Sequence, residues 1–253
     1  RQSSALQCKS QETSSAETMA GMGERLVIGA LLAAAFLAAP AAGTTLTLHN
    51  LCPYPVWPLV TPNTGFPSIC GNDIRLEGNG HGLVSFPFPA TFWSGQLVAR
   101  TGCAPPPRCE TGSKRPAGVV QLTVHSAEGA PRPDLAVHSV SLVGGFNVPV
   151  VVSPQVIGGD GPCPALGCAA DLNAGCPPAQ RVVGAGGRVV ACNGPPGYFK
   201  QRCPLTRTTP VDREPVEQHC YAPGELKVVF CQPAMVDVDA DAAAQPDVVV
   251  AEN

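Results

Sequence analysis

The sequence predicts a mainly β protein, an antiparallel β-sandwich with a small disulfide-rich, loop-rich unit beside it. Three observations carry this reading. Apolar residues recur at every second position in several short runs, the period of a strand with one buried face. The chain holds 28 prolines and 27 glycines, which excludes long helices and favours short strands joined by turns. Residues 158–197 are rich in Gly, Pro and Cys and have little periodicity. An apolar fraction of 44% is enough for a real core, so the chain is not disordered. Net charge is −3 and no Lys/Arg run stands out, so nucleic acid is not an expected partner.

Residues 1–18 are polar and aperiodic, and read as a disordered leader or an upstream extension of the gene model. Residues 19–43 have the order of a signal peptide: Arg25, an apolar run over 26–39, then Ala41, Ala42 and Gly43. The run is short of the ~20 residues that span a bilayer. Cleavage near Gly43 makes Thr44 the mature start, and the product is secreted with no membrane attachment. Cysteines in an oxidising compartment form bridges. Cys8 precedes the signal, which leaves eleven in the mature chain. An odd count leaves at least one outside intramolecular pairing.

TTLTLHN at 44–50 alternates cleanly and reads as an opening strand, and VVQLTVHS at 119–126 as another. A short strand is expected over 82–88 within a Gly/Pro/Asn-rich stretch. In VHSVSLVGGFNVPVVV, 137–152, apolar residues alternate at Val137, Val140 and Leu142, then at Phe146, Val148 and Val150. Gly144 and Gly145 lie between the two runs, as in a hairpin with a tight turn. Pro149 and Pro154 confine the tail of that strand to an edge or an irregular path. A closing strand with Cys231 spans 226–231.

Four stretches resemble a known family: CPYPVW from Cys52, WSGQLVARTGC from Trp93, SLVGGFNVP from Ser141 and GCAAD from Gly167. The family is that of the thaumatin-like proteins, plant pathogenesis-related class five, and the resemblance covers about residues 44–233. It implies a thaumatin-like sandwich over 44–155 and 221–233, with the disulfide-rich second domain at 156–220. The acidic tail, 234–253, carries Asp237, Asp239, Asp241, Asp247 and Glu252. It resembles extensions that send some relatives to the vacuole; without such a signal the destination is the apoplast. The chain also departs from the family. CETG is followed by Ser113-Lys114-Arg115-Pro116 where the family has further cysteines, the loop before YFKQRCP is short, and Arg188 stands in place of a cysteine. This is a divergent member with a reduced second domain. The resemblance implies the bridges Cys52–Cys231, Cys103–Cys109, Cys163–Cys220 and Cys168–Cys203. Cys176 and Cys192 have each lost the family partner, and a rearranged bridge between them is inferred. Cys70 has no family counterpart and is the thiol left over.

No G-x-S-x-G, H-E-x-x-H or phosphate-cradling loop is present, and the five histidines are scattered singly. No cofactor is expected. Zinc on Cys163, Cys168 and Cys176 with a histidine is the alternative to bridges, but the spacing is not the paired C-x2-C of zinc ribbons, so no metal is expected. The resemblance implies a cleft that is acidic in relatives, some of which bind or slowly hydrolyse β-1,3-glucan. Its Arg position falls at Lys114 or Arg115, its strand Glu at Gln121, and its two Asp positions at Ser139 and Gly144. Phe146 belongs to the segment beside the cleft, and Asp134 and Asp212 are the acids that loops could supply. A glycosidase needs two carboxyl groups ~5–9.5 Å apart, one protonated and one ionised. The expectation is therefore a monomeric, secreted defence protein that binds β-1,3-glucan or a foreign protein without catalysis. A weak endo-β-1,3-glucanase and an inhibitor of microbial hydrolases such as xylanase are the alternatives.

Overall fold

The computed structural model describes residues 44–89, 92–104, 106, 108–125, 135–156, 163–213, 219–221 and 223–233. The signal segment, the acidic tail and Asp134 lie outside these residues.

Two five-stranded sheets pack face to face. The first runs in the order β3 (Gly82–Pro87), β1 (Thr45–Asn50), β12 (Pro223–Phe230), β7 (Val150–Val156) and β8 (Leu166–Cys168). The second runs β11 (His219–Tyr221), β6 (Leu135–Ser141), β5 (Val119–His125), β4 (Trp93–Arg100) and β2 (Trp57–Pro62). A two-stranded ribbon, β9 (Arg181–Val183) with β10 (Val189–Cys192), and one helix, α1 (Pro196–Arg202), lie outside them.

The alternation seen in the sequence sets the core. Leu46, Leu48, Leu226, Val228 and Phe230 of the first sheet meet Leu97, Val120, Leu122, Val124 and Val140 of the second, all of them buried. Trp93 lies against Phe88, and its indole N–H donates to the carbonyl of Pro67 at 2.9 Å. Among the described residues the strand pairs are antiparallel except one: β1 runs parallel to β12, from Thr45 opposite Glu225 to Asn50 opposite Phe230. Parallel neighbours cannot be joined by a hairpin. Here residues 51–222 lie between them.

The stretch expected as a hairpin is not one. β6 belongs to the second sheet and β7 to the first, so residues 142–149 carry the chain from sheet to sheet. Phe146 lies in this crossing, and its N–H and C=O pair with Cys192 at 2.9 and 2.8 Å. Gly145 makes the bend at φ 98°, where a Cβ would collide with Pro116 and the carbonyl of Cys192. Pro154 lies where β7 has a neighbour on one side only, since β8 pairs with residues 150–152 alone.

Disulfides join Cys52 to Cys231, Cys103 to Cys109, Cys163 to Cys220, Cys168 to Cys203 and Cys176 to Cys192. Cys163, Cys168 and Cys176, the cysteines weighed for zinc, each have the sulfur in a disulfide. Cys70 is buried and outside these bridges. β8 and β11 each form an edge of one sheet.

Candidate functional site

The outer face of the second sheet carries the site. Leu122 and Val124 of β5 point into the core, so Gln121 and Thr123 point outward. In register, Gln96 of β4, Gln121 of β5 and Ser139 of β6 form one row across three strands. The Ser139 hydroxyl donates to Oε1 of Gln121 at 3.4 Å. Arg207 joins this row from far along the chain. Its N–H donates to Val140 at 2.9 Å and its carbonyl accepts from Leu142 at 2.7 Å, so its backbone extends the edge of β6.

Lys114 and Arg115 ride on the loop before β5, and buried Asn147 fixes that loop. The Asn147 amide donates to the carbonyl of Ala99 at 2.8 Å and to Oγ1 of Thr111 at 3.1 Å, and its Oδ1 accepts from Gly118 N–H at 3.3 Å. Ala117 N–H donates to the carbonyl of Gly144 at 3.2 Å. A Cβ on Gly144 would lie 3.4 Å from Nε of Arg115, so this position faces a guanidinium.

These elements enclose a hollow of about 530 Å³ lined by Gln96, Lys114, Arg115, Gln121, Gly144 and Arg207, among others. A hollow of about 310 Å³ continues it, sharing Gln96, Gln121 and Arg207 and adding Ser94, Thr123 and Ser139. Among the described residues no carboxylate lines either one. Lys114 and Arg115 are exposed. The described lining thus holds the cations Lys114, Arg115 and Arg207, the last with its Nη2 donating to the carbonyl of Pro210 at 3.3 Å, beside amides and hydroxyls.

Lys114, Arg115, Gln121, Ser139 and Gly144 thus come together. Phe146 does not join them: it is fully buried in the core. Asp212 is committed elsewhere. Its Oδ2 accepts from the N–H and hydroxyl of Thr208 at 3.0 and 3.1 Å and pairs with Lys200 at 3.0 Å. The Thr208 N–H first, and Lys200 after it, hold this carboxyl below the usual carboxylate range. Arg207 is the groove residue that sequence reading misses, because no motif marks it and only tertiary pairing brings it to β6. His138, one residue before Ser139, faces inward. Its Nε2 lies 2.8 Å from the carbonyl of Pro164, and burial pushes its pKa down.

A separate hollow of about 240 Å³ is lined by Tyr54, Trp57, Glu110, Asp171 and Arg188, among others. Oε1 of Glu110 accepts from Ala185 N–H at 2.8 Å, and Oδ1 of Asp171 accepts from Asn173 N–H at 3.0 Å. The Arg188 guanidinium sits over the Tyr54 ring, 6.0 Å from its centroid. Both acids belong to motifs that read as disulfide framework, so nothing in the sequence singles them out. No three His, Cys, Asp or Glu side chains cluster as metal ligands among the described residues.

A sequence profile described as the Thaumatin family matches residues 50–197. The chain is 34% identical over 229 residues to an osmotin-like protein of Solanum lycopersicum, with 74% of this chain and 88% of that one covered. It is 31% identical over 215 residues to thaumatin-like protein 2 of Prunus persica, covering 74% and 84%. A protein of Prunus avium named glucan endo-1,3-beta-glucosidase is 32% identical over 165 residues, covering 58% and 63%. With the profile matching more than half of its length, the chain belongs to the thaumatin family.

Proposed function

We propose that this is a secreted defence protein that binds polysaccharide in the groove on the second sheet and does not cleave it. The chemistry of that groove carries the reading: cations, amides and hydroxyls line it, and no described carboxylate does. Glycoside hydrolysis needs a general acid and a second carboxylate across the bond. Gln121 cannot ionise, and Asp212 is held ionised by Thr208 and Lys200, so it is a poor proton donor. Amide and hydroxyl rows on a flat sheet suit sugar hydroxyls, each of which both donates and accepts.

The test uses laminarin, a β-1,3-glucan, chosen because one relative is named a glucan endo-1,3-beta-glucosidase. Saturable binding of a polysaccharide is expected, with release of reducing ends at background. Restoring acids with Gln121→Glu and Ser139→Asp should change glucan binding or start slow turnover. Stoichiometric inhibition of a microbial hydrolase, with no polysaccharide bound, would replace this reading by a protein ligand. A weak glucanase is the second reading, and one observation favours it: Glu110 and Asp171 line one hollow together with Tyr54 and Trp57. Laminarin hydrolysis that Glu110→Gln and Asp171→Asn both abolish would establish it.

A further inference from the structure

We infer that the groove ends in an aromatic subsite, centred on Phe92, that stacks on the apolar face of a pyranose ring of the bound polysaccharide. The inference rests on the polysaccharide-binding reading and adds a specificity-determining residue to the same site. Strand alternation puts the ring there. Trp93 and Val124 are opposite each other in register and both are buried. The residues next to them, Phe92 just before β4 and His125 at the end of β5, therefore lie on the outer face of the second sheet. On that face Ser94 pairs with Thr123, and Gln96 with Gln121. Three rows thus follow one another along the strands at steps of ~6.8 Å, two polar and the last aromatic.

Phe92 stays 44% exposed although it sits between two other rings. The half-buried Phe66, brought back by the turn in which its N–H donates to the carbonyl of Asn63, lies 5.3 Å away between centroids. His125, itself exposed, lies 6.2 Å away. A ring held by neighbours loses little freedom when a ligand covers it. In the adjoining row the Asn63 amide donates to Oγ of Ser94 at 2.9 Å, and that oxygen is 3.1 Å from Oγ1 of Thr123. These three line the hollow of about 310 Å³. A purely apolar partner laid over both rows would cover the amide and hydroxyls and return no hydrogen bonds. A purely polar one would gain nothing from the rings. A sugar ring suits both rows, because its C–H face is apolar and the hydroxyls on its rim donate and accept.

Full-length secreted protein is titrated with laminarin and with soluble xylan, as the wild type and as Phe92→Ala, Phe92→Leu and Phe92→Trp. Leucine keeps an apolar side chain and removes the ring face. On each polysaccharide that the wild type binds, alanine and leucine should each cost about tenfold in affinity. Phe92→Trp should bind at least as tightly as the wild type, and its tryptophan emission should shift on binding by more than that of the wild type. This variant and Phe92→Leu keep the test decisive if the alanine protein fails to fold. Leu83→Ala, which removes an exposed apolar side chain from the first sheet, should change nothing. If Phe92→Leu binds as tightly as the wild type, the inference falls while the polysaccharide reading stands. If the wild type binds neither probe, both fall. A wild-type dimer in sedimentation that Phe92→Leu splits would also overturn the inference, because the rings would then meet a second copy of the chain.

Discussion

Asn147 is the residue on which groove and core both depend. Substitution by alanine takes the side-chain partner from the carbonyl of Ala99 and the N–H of Gly118, while the Thr111 hydroxyl keeps Thr101 Oγ1 at 2.8 Å. Each unsatisfied buried group costs about 1–3 kcal/mol, so Asn147→Ala should lose about 2 kcal/mol or more. The urea midpoint should drop at unchanged slope, and a changed slope would mean altered compactness instead. His138 makes a prediction in pH. Its Nε2–H donates to Pro164, while Nδ1 is buried without a partner, so protonation there would bury a donor with no acceptor. Burial lowers its pKa in the fold, so as pH falls the unfolded chain takes up the proton first. Its contribution is complete above about pH 6.5 and declines below it, by up to about 1.4 kcal/mol per pH unit, until the folded state protonates as well. Denaturation series between pH 7.5 and 5.5 should show this loss, and His138→Gln should remove it. Asp212 follows the same sign in a lower window: its contribution is present above about pH 4 and is lost as pH falls through its lowered value.

The ribbon of β9 and β10 shows how little an element holds by itself. Two strands are marginal in water without further packing. This pair is anchored by the Cys176–Cys192 bridge and by the backbone pair between Cys192 and Phe146. Opening a loop of 16 residues should cost about 3 kcal/mol in the chain-entropy account. For Cys176→Ala with Cys192→Ala, hydrogen exchange should speed up in β9 and β10 while β1 and β12 keep their protection. Uniform acceleration across all strands would show that the ribbon is not a separate unit. Elements also mark the limit of what the sequence discloses. Alternation tells which side of a strand is apolar, and the family resemblance named Gln121 and Ser139 as cleft positions. Alternation says nothing of the partner strand. The runs on either side of Gly144 and Gly145 therefore read as a hairpin, although Gly145 sends the chain between sheets. Phe146 fits the period of a strand while lying in a crossing, and Arg207 reaches the groove by pairing with a strand far from it in sequence.

At the scale of the whole molecule, the family resemblance in four short motifs made the sandwich legible, because each motif sits where strands, cysteines and turns constrain one another. The groove was legible only as positions, since its sign depends on which loop cations the fold brings to it. The Cys52–Cys231 bridge spans 179 residues, and in the chain-entropy account removing it should cost about 5 kcal/mol. Cys52→Ala with Cys231→Ala should lower the urea midpoint accordingly, and a loss under 1 kcal/mol would point to a denatured state that is already compact. The same bridge has a mechanical consequence. Tension applied at Thr44 and Pro233 runs along β1, across the sulfur pair and out, so the intervening chain carries no load. An optical trap should find no more than the short segment through β1 to extend until a reductant is added. It should then release a contour on the order of 600 Å, at ~3.4 Å per residue.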